Sequence, residues 1–313
     1  LRGPQGTLFG KNTTGGAISL VSKKPTNELE GGFKADVGNY DKRLFQAVVS
    51  GSVNNKVRGR LAVSDENRDG FVENVSSLGG PDLDDSDYTS ARAILEYDFT
   101  DNVQLTLSAY HFDDSGFVVS ARRINEYPAV GETGPFVNYF VLNNAGSNIT
   151  ASDPWKVRLD TAGREDSNEA KGAAIDIDWD LGDILFRSLS AYNDNQLNYQ
   201  NRDTDGSDVV KTLHWNSRTG YETFSQEFQL LSNDESSFKW ILGTFFYTEN
   251  ANYGESHESD NILVVGGPAT TADLSATVEA RALGVFGQID YSISDNVEVV
   301  AGLRYNKDKK SAF

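Results

Sequence analysis

The chain has 313 residues, no Cys and no Met, and 46 Asp and Glu against 28 Lys and Arg, for a formal charge of −18. The lack of Cys excludes a disulfide scaffold, a thiolate zinc site and a cysteine nucleophile, and acidity on this scale excludes a nucleic-acid partner because phosphate repels it. No apolar run approaches the ~18–20 residues of a membrane helix, which removes helical membrane proteins but not membrane β-barrels, whose alternating strands average out to polar.

Thirteen Tyr, 17 Phe and 29 Gly against 7 Pro favour β-structure over disorder. The three histidines, His111, His214 and His257, are far apart and form no metal-binding spacing. The chain opens on Leu1 and is read as a fragment or a processed chain, so it says nothing about a signal peptide.

Residues 1–25 stand apart, with five Gly, four basic residues and no acid. Within them Ala17–Ser22 reads as a short strand stopped by Lys23, Lys24 and Pro25, since Pro cannot donate to a central ladder. From Phe33 onward period-2 alternation recurs, as in Val103-Gln104-Leu105-Thr106-Leu107-Ser108-Ala109-Tyr110. No stretch of 3.6-residue spacing reaches helical length, so the chain reads as all-β. The spacing predicts about eleven strands, near 33–40, 43–53, 56–67, 87–99, 103–112, 169–180, 184–196, 221–232, 238–250, 279–292 and 297–308.

The connections between them alternate. Tight turns at Asn54-Asn55, Thr100-Asp101-Asn102, Leu181-Gly182-Asp183, Asn233-Asp234-Glu235 and Ser294-Asp295-Asn296 use residues that tolerate positive φ or bond their own backbone. Long connections near 68–86, 113–167, 198–219 and 254–277 lie between them. In an up-and-down barrel this puts tight turns on one rim and long loops on the other, the asymmetry of outer-membrane barrels. A soluble β-sandwich would also alternate. It could not bury the inferred inner face, which carries Arg58, Arg60, Arg92, Glu96, Asp176, Asp178, Gln288 and Arg304, whereas a polar lumen can. Tyr97, Phe99, Trp179 and Tyr291, near strand ends, suit a headgroup girdle or simple strand propensity.

The N-terminal run Leu1-Arg2-Gly3-Pro4-Gln5-Gly6-Thr7-Leu8-Phe9-Gly10, then Asn12-Thr13-Thr14-Gly15-Gly16-Ala17-Ile18 and Lys23-Lys24-Pro25, resembles the end of the plug domain of TonB-dependent outer-membrane receptors. Phe224–Leu230, Gly284–Gln288 and Ala301–Tyr305 resemble that family's barrel. The resemblance implies residues 1–25 as the C-terminal end of the plug domain, 26–32 as a linker and 33–313 as the N-terminal half of a membrane-spanning antiparallel up-and-down barrel. That barrel has 22 strands in the family, of which about eleven would be present here. It further implies a plug motif at Gly3, Pro4, Gly6, Gly10, Gly15 and Gly16. Arg2 matches the plug arginine that pairs with barrel glutamates, and Glu227 matches one of those glutamates. Where a second glutamate is usual, Gln288 stands, which would weaken a charge lock or shift it to another acid; Glu227 as an ordinary hydrated lumen residue is the competing reading.

The expected function is TonB-energised uptake of a scarce nutrient, foremost a ferric siderophore, with vitamin B12, haem or an oligosaccharide as alternative ligands and a passive porin or adhesin as the alternative class. The implied partners are TonB with ExbB and ExbD, acting through a region absent from this sequence, together with outer-membrane lipid and lipopolysaccharide. The candidate ligand loop carries Arg122, Arg123, Tyr127, Phe136, Tyr139, Phe140 and Trp155, cationic and aromatic side chains suited to anionic chelates. The acidic runs Asp82, Asp84, Asp85, Asp87 and Asp203, Asp205, Asp208 read as solvated loops or as Ca²⁺ ligands, without an EF-hand pattern. No catalytic motif is present, so neither an enzyme nor a cofactor is expected.

Overall fold

A computed structural model of the chain describes residues 3, 6–9, 13, 15–76, 79–116, 153, 155–157, 159, 165–203, 214–233, 236–259, 270–294 and 296–313. After a four-residue helix α1 (Gly6–Phe9) the described chain is almost entirely strand. The elements are β1 (Glu30–Val37), β2 (Arg43–Asn54), β3 (Val57–Arg68), β4 (Glu73–Asn74), β5 (Ser86–Thr100), β6 (Val103–Asp114), β7 (Lys156–Val157), β8 (Glu165–Asp180), β9 (Ile184–Asp203), β10 (His214–Ser232), β11 (Phe238–Ser259), β12 (Thr270–Ser294) and β13 (Val297–Ala312). Eleven of them form one antiparallel sheet in strict chain order, while β4 and β7 make a separate parallel pair.

All eleven predicted strands are present, and the predicted tight turns at 54–55, 100–102 and 181–183 join their neighbours on one rim, while those at 233–235 and 294–296 fall partly outside the described residues. At the β2–β3 turn, Asn54 Oδ1 accepts from the amides of Lys56 at 2.8 Å and Val57 at 3.0 Å. At the β8–β9 turn, Gly182 adopts φ 91° and its amide donates to Asp180 Oδ1 at 2.8 Å.

Three expectations need correction. β1 begins at Glu30 and stops at Val37, because Tyr40 and Asp41 take left-handed φ values of 59° and 51° and turn the chain back. The strands β9 to β12 run further toward the long-connection rim than predicted. Pairing continues through Asp203, His214, Ser259 and Thr270, inside what reads as loop, because both strand faces are polar there and the alternation signal vanishes. Finally, Ala17–Ser22 is not a strand. Ile18, Leu20 and Val21 are exposed, and Ser22 accepts a hydrogen bond from Arg92.

The registers define two faces. One presents Leu61, Leu95, Leu107, Ile175, Trp179, Phe224, Phe228, Phe246, Leu283 and Tyr305, exposed and apolar as a lipid-facing wall requires. The other carries Arg58, Arg92, Glu96, Asp178, Glu227 and Arg304. Phe99, Trp179 and Tyr291 lie exposed at the tight-turn ends of their strands, where a headgroup girdle would sit.

Candidate functional site on the inner face

The polar face is where the N-terminal segment attaches. Arg92 donates to Ser22 Oγ at 2.6 Å, Lys24 Nζ lies 3.8 Å from Glu96 Oε1, and the Thr26 amide donates to Ser50 Oγ at 2.9 Å. At the other side of the sheet, Arg304 donates to the carbonyls of Thr7 and Leu8 in α1, at 3.3 and 3.4 Å. These contacts run from β2 and β5 to β13, so one segment of about twenty residues ties together distant staves of the wall.

Two clusters on the wall hold these contacts in place. The first centres on Arg58. Its Nε donates to Glu96 Oε2 at 3.1 Å, and its two terminal nitrogens form a fork on Asp98 at 2.7 and 2.9 Å. Gln104 also donates to Asp98, at 3.0 Å. A bidentate guanidinium on one carboxylate with a second acid alongside is a strong, directional arrangement. The second cluster is the seat of Arg304. Its guanidinium lies 5.1 Å from the Phe286 ring and 5.8 Å from the Phe245 ring, and Nε donates to Asn306 at 2.8 Å. Glycines make room for it. A Cβ on Gly284 would come within 2.7 Å of the guanidinium, one on Gly302 within 2.6 Å of the Thr7 methyl, and one on Gly243 would overlap the Phe286 ring.

Arg2, Pro4 and Gly10 lie outside the described residues. Gly3 has φ 81°, a left-handed backbone that favours glycine, while Gly6 opens α1 and Gly15 and Gly16 follow it. Glu227 is on the inner face opposite Phe245 and Leu189, where Gln229 donates to it. Gln288 is on the same face and donates to Asp290 at 2.9 Å. No described contact joins Glu227 to Gln288. The contacts that do reach the N-terminal segment come from Ser50, Arg92, Glu96 and Arg304. The sequence marked Arg92, Glu96 and Arg304 as lumen residues but not as attachment points, and did not mark Ser50, because the cross-strand register that gathers their partners is invisible in a linear pattern.

Of the candidate ligand loop, Arg122, Arg123, Tyr127, Phe136, Tyr139 and Phe140 lie outside the described residues. Trp155 is described, and it is 59% exposed. Its ring meets Phe71 edge-on at 5.8 Å, Phe71 meets Tyr40 at 6.3 Å, and the Arg68 guanidinium lies 4.9 Å over the Phe71 ring. A small core of Val72, Leu83, Val157 and Leu159 underlies this platform, and a Lys156–Glu73 pair at 2.8 Å fastens β4 to β7. The sequence singled out Trp155 alone. Asp82 proves to be structural, since its carboxylate accepts the Asn74 amide at 2.9 Å. Among the described residues no group of three or more His, Asp or Glu is arranged to hold a metal ion. Asp205 and Asp208 lie outside the described residues.

Beyond the apolar band, β11 carries a third polar group. Tyr253 donates to Glu255, and His257 Nε2 lies 2.7 Å from the other oxygen of Glu255. The Tyr253 hydroxyl, then the His257 ring, hold the Glu255 carboxyl below its ordinary value near 4.5. A depressed carboxyl stabilises the fold fully above its unfolded-state value and loses that contribution as pH falls through the folded value. Thermal unfolding followed from pH 6 to pH 3 is therefore expected to steepen below about pH 4.5 in the native protein, and Glu255→Gln should flatten that part of the curve.

The comparisons agree with this geometry. Residues 111–312 match the family model described as TonB dependent receptor-like, beta-barrel. The chain belongs to this family. Members of the TonB-dependent receptor family are outer-membrane barrels, and they are receptors rather than enzymes; this chain is a stretch of such a barrel. It is 22% identical over 316 residues to the pesticin receptor of Yersinia pestis, covering 99% of this chain and 41% of that protein. It is 29% identical over 117 residues to the ferripyoverdine receptor of Pseudomonas aeruginosa, covering 36% of this chain and 13% of that protein. Among solved structures it superposes on the ferric yersiniabactin uptake receptor of Yersinia pestis with a TM-score of 0.75 at 16% identity, covering 100% of this chain and 44% of that one. The ferripyoverdine receptor of Pseudomonas aeruginosa bound to ferripyoverdine gives 0.70 at 14% identity, covering 100% and 41%. The chain thus spans about two fifths of the relatives it matches over its full length.

Proposed function

We propose that the receptor containing this chain imports a ferric siderophore across the outer membrane, driven by TonB with ExbB and ExbD. The observation that carries this reading is the attachment of residues 7–26 across the polar inner face by Arg92, Glu96, Ser50 and Arg304. On this reading residues 1–25 are the tail of a plug, 26–32 its linker and 33–313 the wall, with Arg2, Glu227 and Gln288 as part of the lock between plug and wall. Contacts of this kind hold a plug in place at rest. They are few and polar, so a pull from the periplasm can break them one at a time. The ligand class follows relatives whose names specify ferripyoverdine and ferric yersiniabactin. Lipopolysaccharide is the proposed neighbour of the outer wall.

The decisive test is radiolabelled-iron uptake by iron-starved cells that carry the full-length receptor as their sole route for the chelate. Saturable uptake that disappears in a host without TonB supports import; unsaturable, TonB-independent flux would instead establish a pore. Trp155 is proposed to touch the chelate together with Arg68 and the loop residues Arg122, Arg123, Tyr127 and Tyr139. Trp155→Ala is expected to weaken chelate binding on the order of tenfold, the size of one lost aromatic stack. Fluorescence titration of the purified receptor measures it.

A further inference from the structure

Tyr253, Glu255 and His257 on β11 face inward toward the long-connection rim, and the import reading assigns them no task. They lie on the face of Phe245, which stands opposite Glu227. The outward positions of β11 turn from Leu242 and Phe246 to Thr248 and Asn250 before this level, so the group stands above the lipid band. The register brings β10 against it, with Trp215 opposite His257, Ser217 opposite Glu255 and Thr219 opposite Tyr253. On the other flank, β12 sets Ala276, Leu274 and Ala272 opposite Tyr253, Glu255 and His257. Tyr199 of β9 stands opposite Ser217, and its ring lies 5.9 Å from the Trp215 ring.

The result is an acid set among rings. The Tyr253 hydroxyl donates to Glu255, and His257 Nε2 lies 2.7 Å from Glu255 Oε1. The buried Trp215 Nε1 stabilises the same carboxylate without closing a full hydrogen bond. These donors keep Glu255 ionised and fix its direction, but a phenol or an indole cancels no charge. Neither flanking strand cancels it either, because the facing residues Ser217 and Leu274 and their neighbours Thr219, Ala272 and Ala276 are neutral. Both of those strands belong to this chain, so the neutrality is a property of the complete local sheet. The Glu255 side chain is 18% exposed, and a ligand in the lumen can reach it. A carboxylate half withdrawn from water beside aromatic faces draws a cation by its own charge and by the negative faces of the rings, and it repels an anion. A guanidinium can also fork onto the carboxylate. The platform at Phe71 has the opposite polarity, with the Arg68 cation over the ring. A ligand that meets both carries an anionic part and a basic arm.

We propose that Glu255, with the rings of Tyr253, His257, Trp215 and Tyr199 around it, is a subsite for an alkylammonium or guanidinium group on the imported chelate. The subsite itself stands on local geometry; only the chelate as bearer of the cation rests on the import reading.

The test separates the two. The purified full-length receptor is titrated in detergent with n-butylguanidinium and with n-butylurea, its uncharged isostere, by saturation-transfer NMR without iron or TonB. The native protein is expected to bind the cation on the order of tenfold more tightly than the urea, and Glu255→Gln to bind the two alike. Equal affinities in the native protein, no saturable binding of the cation, or cation binding unchanged by Glu255→Gln would each overturn the subsite. If Glu255→Gln does not fold, Trp215→Leu carries the test, since it leaves the acid and should weaken the cation roughly fivefold; unchanged affinity there counts against the site. In cells with the native receptor, n-butylguanidinium but not n-butylurea should slow radiolabelled-iron uptake. Uptake untouched by the cation would remove the chelate as its bearer, whereas failure of the import reading appears separately, as uptake that does not depend on TonB.

Discussion

Arg58→Ala is expected to destabilise the receptor by about 3–5 kcal/mol, the range seen when one partner of a buried ion pair is removed. The side chains of Arg58 and Glu96 are only 16% and 5% exposed. Removing the guanidinium leaves Glu96 facing Lys24 alone, at 3.8 Å, and strips Asp98 of its two-pronged donor. The cost comes from the stranded carboxylates rather than from the lost attraction itself. Arg58→Ala combined with Glu96→Gln and Asp98→Asn should therefore be more stable than Arg58→Ala alone. Urea unfolding of the full-length receptor in vesicles, read by tryptophan fluorescence, measures both. A triple variant less stable than the single one would refute this account. Because Lys24 belongs to the N-terminal segment, Arg58→Ala should also change how readily protease reaches that segment.

Gly243→Val is the second large effect expected. Gly243 pairs directly with Phe286 across β11 and β12, and the buried ring, 2% exposed, lies over the glycine where a side chain would project. The ring is hemmed in by Arg304 above it, so the new side chain must push both aside. Overpacking of this kind costs about 1–3 kcal/mol, and here the strain reaches the contacts from Arg304 to Thr7 and Leu8. Protease should cut the N-terminal segment faster in this variant, with melting lowered. Gly287→Ala is the control: its new Cβ would meet only ordinary contacts at 3.4 Å and beyond. Equal effects from the two would show that loss of a glycine, and not the displaced ring, is responsible.

The wall was legible in the sequence wherever one strand face meets lipid. Val103–Tyr110 alternates because odd positions face hydrocarbon and even ones face water, and the structure pairs them in that sense. The signal fails where both faces are wet. Asn198 and Arg218, or Glu255 and Ser256, pair as regularly as the residues below them but read as loop, since periodicity reports a contrast in polarity and not the ladder itself. The opposite error occurs at Ala17–Ser22, where β-branched and apolar residues suggest a strand and none forms. For the candidate site, residue types were readable and partnerships were not. Arg304 announces a polar lumen; that it rests on Phe286 over Gly243 depends on two registers. The Phe71 platform stayed hidden because its rings come from positions 40, 71 and 155.

The extra reach of β11 bears on what meets the cell surface first. At ~3.3 Å per residue and a tilt near 45°, its 22 residues rise roughly 50 Å, against about 30 Å of hydrocarbon. Some 20 Å of hydrogen-bonded sheet therefore stands above the lipid like a chimney. That height is reached by paired strand. On the import reading, a solute arriving from outside passes Tyr253, Glu255 and His257 before it comes near the N-terminal segment.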